Sequence, residues 1–90
     1  MLFMVIERFK QGAAGAAGER FQRQGRMLPD GVVYHASWME PSGNRCFQVM
    51  EAASPELIDG WTARWADLVD FEIVPVLTSK DFWEGPPGVA

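Results

Sequence analysis

The segment Leu2-Phe3-Met4-Val5-Ile6-Glu7-Arg8-Phe9 is rich in β-branched and aromatic residues, and its hydrophobicity is too continuous for a strand with one wet face. It predicts a strand in the middle of a sheet. Lys10, Gln11 and Gly12 break it. The stretch from about Ala13 to Gln24 then reads as a helix, with Ala13, Ala17 and Phe21 on one face and Glu19 to Arg23 as an i,i+4 pair. That helix is weak, because Gly15 and Gly18 each cost about 1 kcal/mol relative to alanine in a helix interior. Gly25 suits a C-terminal stop. Leu28-Pro29-Asp30-Gly31 is a turn, since proline fixes φ and glycine permits φ > 0.

Val32 to Glu40 alternates as a strand does, Pro41-Ser42-Gly43-Asn44 is a turn, and Arg45 to Glu51 is a second strand, so the pair predicts a hairpin. Ser54-Pro55-Glu56 supplies an N-cap, a proline at the first helical position and an acid in the first turn. Leu57, Ile58, Trp61 and Trp65 then follow at helical spacing. Asp67 to Asp70 connects to a last strand, Phe71 to Thr78. There Pro75 removes a ladder donor and so favours an edge or a bulge. The order β-α-β-β-α-β is the ferredoxin-like arrangement of the α+β class, with two helices on one face of a four-stranded antiparallel sheet. Residues 1–78 form the single domain and residues 79–90 a tail, mobile at its Gly85-Pro86-Pro87-Gly88 end.

Ninety residues bury only about 60–65% of the unfolded chain's surface, so the core is thin and self-association helps it. A net charge of −4, with eight basic residues scattered among twelve acids, leaves no footprint for nucleic acid. No apolar run approaches the length of a membrane span, and Met1 to Ile6 lacks the marks of a signal peptide; a cytoplasmic protein is expected. The single cysteine, Cys46, excludes an intrachain disulfide. With one histidine it also excludes an all-Cys/His zinc site within the chain. No metal or cofactor is expected.

A hairpin loop centred on Ser42 sets Trp38 opposite Cys46, Ala36 opposite Gln48 and Tyr34 opposite Met50, all on one face. The alternate set, Val33, Phe47 and Val49, is more apolar and suits a face under helices; a one-residue bulge would swap the two assignments. A face bearing Trp, Tyr, Met, Cys and Gln is too large an apolar patch for a monomer to leave in water. A second copy related by a two-fold is the simplest cover. Three segments carry a resemblance here: Met1 to Glu7; Ser37-Trp38 with Arg45-Cys46-Phe47-Gln48-Val49-Met50-Glu51; and Trp61 to Val76, including Arg64-Trp65-Ala66-Asp67-Leu68-Val69-Asp70-Phe71-Glu72. Over roughly residues 1–78 the chain resembles the bacterial family catalogued as domain of unknown function 3303. That resemblance implies a dimeric α+β barrel, a superfamily of small dimers that includes monooxygenases and isomerases, but no particular activity.

The expected site is therefore the interior between two facing sheets. Trp38 and Tyr34 would stack on a small apolar or aromatic molecule, Met4, Cys46 and Met50 would shape the wall, and Gln48 would provide polarity. Gln48 either orients a ligand carbonyl or hydroxyl or bonds to Tyr34 or across the dimer axis. Trp38 either stacks on a ligand or fills the dimer interior. The function expected is a homodimer that binds the molecule or converts it without a cofactor, as a monooxygenase or isomerase would; the alternative is a structural dimer with a filled core. Catalytic residues are not identifiable. Cys46 reads as a buried thiol. His35 reads as a boundary residue on the face opposite Trp38, beneath a helix or near the sheet edge. Glu7 and Glu72 read as salt-bridged to Arg8, Arg45 or Arg64. Gly12 to Gly18 lacks a phosphate-loop pattern and reads as small residues that let the helix approach the sheet. Phe82-Trp83 is available to latch a partner.

Overall fold

The structure, a computed structural model, describes residues 1–85. Strand β1 (Leu2–Phe9), helix α1 (Ala14–Gln24), strands β2 (Val33–Met39) and β3 (Arg45–Glu51), helix α2 (Pro55–Thr62) and strand β4 (Val69–Val76) follow in the predicted order. A short helix α3 (Ser79–Glu84) then occupies the start of the expected tail. Most of the tail's expected mobile end lies outside the described residues. The sheet order is β2-β3-β1-β4, with every pairing antiparallel. β1 is thus central, as its continuous hydrophobicity requires, and β4 sits at an edge where Pro75 deprives no neighbour of a donor.

Both helices cover the face that carries Phe3 and Val5 of β1, each with no exposed surface. Ile58, Trp61 and Trp65 pack against that face with Ala17, Met50 and Val69 to form the core. α2 ends at Thr62, so Trp65 reaches the core from the turns that follow rather than from the helix. Ser54 stands at the N-cap without a side-chain bond, and Pro55 opens the helix as expected. Arg20 ties α1 to the turns after α2: its guanidinium donates to both Asp67 carboxylate oxygens at 2.8 and 2.7 Å and to the Arg64 carbonyl at 3.1 Å.

The hairpin corrects the expected face assignment. Its loop closes with the Glu40 amide donating to the Arg45 carbonyl, and Gly43 takes a φ of 79°. That centres the loop between Ser42 and Gly43, so Trp38 pairs with Phe47, Ser37 with Gln48 and Met39 with Cys46. A bulge between Tyr34 and Ala36 then restores the expected Tyr34–Met50 pair. β1 decides which β3 residues are covered, because Phe3 pairs with Met50, Val5 with Gln48 and Glu7 with Cys46. Cys46, Gln48 and Met50 therefore lie under the helices, and the more apolar set containing Phe47 and Val49 lies on the bare face.

Candidate functional site

Between α1 and the sheet lies a cavity of about 450 Å³. Its walls are apolar, built from Phe9, Ala17, Phe21, Trp61, Trp65 and Val69, so the few polar groups inside it stand out. These are Glu7 from β1, Arg26 from the segment after α1, Ser37 from β2, and Gln48 with the Cys46 thiol from β3.

Strand alternation brings Glu7 here. It is the polar member of the series Phe3, Val5, Glu7, Phe9 that β1 turns toward the helices. The Gln48 amide donates to a Glu7 carboxylate oxygen, and Arg26 Nε donates to Gln48 Oε1 at 3.4 Å, which makes a chain from guanidinium to carboxylate. Burial outweighs both the Gln48 bond and the Arg26 charge, and it pushes Glu7 up to about 7. A carboxyl poised there exchanges a proton readily at neutral pH.

Arg26 is positioned by its own backbone. Gly25 ends α1 with a φ of 65°, and Met27 adopts a φ of 56°, a left-handed conformation that costs a non-glycine residue on the order of 1 kcal/mol. Three bonds hold this turn: Trp61 Nε1 and Trp65 Nε1 donate to the Arg26 carbonyl at 2.9 and 3.0 Å, and Arg64 Nη1 donates to the Met27 carbonyl at 2.8 Å. The Arg26 side chain is thereby directed into the cavity, its guanidinium 3.5 Å from the Tyr34 ring centre and 5.1 Å from that of Phe21.

The residues expected to form one site are divided between the two faces. Gln48 and Cys46 line the cavity, Tyr34 stacks under Arg26 and shares a 2.8 Å hydrogen bond with Ser37, and Met50 is fully buried in the core. Met4, paired with Val49, and Trp38, paired with Phe47, lie on the bare face instead. Trp38 is 58% exposed there. Of the two places expected for His35, the sheet edge is the one it takes: it lies at the bulge of edge strand β2, and its Nε2 meets Glu51 Oε1 at 2.7 Å on the surface. Glu72 pairs with Arg8 at 3.4 Å as expected, but among the described residues Glu7 has no ion pair, and it occupies the opposite face. Burial, then the Glu7 charge, raises the Cys46 thiol to about 11, so nothing around it activates it as a thiolate. Iodoacetamide at pH 8 should alkylate Cys46 much more slowly than free cysteine and at an ordinary rate only after unfolding; rapid labelling of folded protein would contradict this.

Glu7, Arg26 and Ser37 were absent from the expected site. The signal for Glu7 was present as one acid on the covered parity of a central strand. Arg26 offered none, because its placement depends on backbone angles and on two indoles distant in sequence. The small residues of α1 also have a different role from the one expected: no atom lies within 4 Å of a Cβ built on Gly15 or Gly18, so close helix–sheet approach is not what they provide. Gly18 leaves open space in the cavity wall.

Among the described residues no helix is long and apolar enough to cross a membrane. The family model of a domain of unknown function (DUF3303) matches residues 1–85. No curated protein and no solved structure matches the chain.

Proposed function

We propose the following function for this chain, which belongs to the DUF3303 family, a domain of unknown function. It is a homodimeric α+β barrel in which each copy binds a small, largely apolar molecule in the cavity beneath α1, without a cofactor. Glu7 is the group that moves a proton on that molecule, which is the isomerase-like chemistry open to a lone carboxyl near neutral pKa. The observation that carries this is a single polar cluster, Glu7–Gln48–Arg26, inside an otherwise apolar cavity of ligand size. One feature favours the dimer: Met4, Ile6, Trp38, Phe47, Val49 and Val74 share the bare face, an apolar patch that a second copy would cover.

A neutral flat probe, 1-naphthalenemethanol, tests the cavity. It should quench the fluorescence of Trp61 and Trp65, which line the space, and Trp38→Phe should leave that quenching intact. Gly18→Leu, which plugs the wall, should abolish it while the circular dichroism spectrum is retained. Quenching that survives the plug, or that vanishes with Trp38→Phe, would place the probe elsewhere.

A further inference from the structure

Arg26 has more hydrogen-bonding capacity than its surroundings use. A guanidinium presents five N–H donors, yet among the described residues this one makes only two long bonds, to Gln48 Oε1 and to Ser37 Oγ, both at 3.4 Å. Among the described residues no carboxylate lies within ion-pair distance of it, whereas Arg8, Arg20, Arg23 and Arg45 each have one. It is half-buried rather than exposed, and it lines an apolar cavity with aromatic rings at 3.5 and 5.1 Å. A cation placed so, with its fork unfilled and its planar faces stacked, is arranged to receive a planar anion through two parallel bonds.

From this geometry we infer that the molecule bound beneath α1 carries a carboxylate, that Arg26 anchors it, and that its apolar body lies along Phe21, Trp61 and Trp65. This rests on the cavity being a binding site and adds the substrate class. The anchor is preorganised, because the backbone on either side of Arg26 is held in left-handed turns and its carbonyl is fixed by two indoles. The charged or titratable groups facing Glu7 are Arg26 and, from β3, the Cys46 thiol. β4 sets Phe71 beside it, and α1 and α2 bring only Ala, Gly, Phe and Trp side chains to the cavity. While Glu7 is protonated the cavity holds one uncompensated positive charge, and a carboxylate neutralises it. When Glu7 ionises, the two carboxylates repel. Anion binding should therefore weaken as pH rises through about 7.

The test compares 1-naphthoate with 1-naphthalenemethanol, which have the same ring system and differ in charge, by calorimetry at pH 6 and pH 8. At pH 6 the carboxylate should bind about 10- to 100-fold more tightly, the range of a charged hydrogen-bonded pair. Arg26→Gln should remove that preference, with the alcohol still bound and the circular dichroism spectrum of the wild type retained. Arg26→Lys keeps the charge without the fork and should lose several-fold on the carboxylate alone; if Arg26→Gln does not fold, this variant decides. At pH 8 the preference should shrink in the wild type. Equal affinity for the two probes, or a preference that survives both substitutions, overturns the carboxylate anchor and leaves the cavity reading standing. Failure of both probes to bind overturns the two together.

Discussion

In urea, at one protein concentration, the protein should be about 2–3 kcal/mol more stable at pH 5 than at pH 8 on account of Glu7, and Glu7→Gln should remove that difference. The sign follows from the direction of the shift. The folded carboxyl titrates near 7 and the unfolded one near its ordinary 4.5, so the folded state holds a proton that the unfolded state has released. The stabilisation is complete below about 4.5 and disappears as pH rises through about 7. Glu40 and Asp67 are shifted the other way, each chiefly by the hydrogen bond from its arginine partner, and they act only at more acidic pH. Glutamine keeps a carbonyl that can accept from Gln48 and cannot ionise, so at pH 8 Glu7→Gln should be the more stable protein. A wild type whose stability rises from pH 5 to pH 8 relative to Glu7→Gln would contradict a buried, raised carboxyl.

Val49→Lys should convert a dimer into a folded monomer. Val49 sits mid-strand on the bare face between Met4 and Ala36. In a two-fold pairing of that face, a lysine there meets its own copy or an apolar surface. Like charges or an unpaired charge at such a contact cost several kcal/mol, which weakens dimerisation by about a hundredfold or more. In the monomer the same lysine stands in water, with only the modest loss of strand propensity that replacing valine entails. Sedimentation of the wild type as a dimer and of the variant as a monomer with unchanged circular dichroism is the expected pair of results. A wild type that sediments as a monomer at tens of micromolar removes the dimer from the proposed function and leaves the cavity untouched.

The fold was legible because each of its determinants is local. Continuous hydrophobicity marks β1 as central, Ser54-Pro55-Glu56 starts α2, and Pro75 sends β4 to an edge; none of these depends on another segment. The face assignment was not legible in the same way. A loop centred half a residue later than Ser42 exchanges every side chain between Ala36 and Met39 from one face to the other. The bulge that compensates near Tyr34 contains neither glycine nor proline to announce it. Cys46 and Gln48 were therefore correctly grouped and placed on the wrong side of the sheet, while Trp38 and Met4 were separated from them by register alone. Arg26 was the least legible residue, since its direction is fixed by tryptophans 35 and 39 positions away.

That last arrangement means that the same amino acid faces two ways. Its side chain meets whatever enters beneath α1, and its carbonyl receives the N–H groups of two indoles at the centre of the core. The same two indoles also wall the cavity, so an occupant beneath α1 would change the surroundings of both N–H groups. The chain thus carries a native pair of NMR reporters: the Trp61 and Trp65 side-chain N–H resonances should move together on occupancy, while those of Trp38 and Trp83 stay where they are.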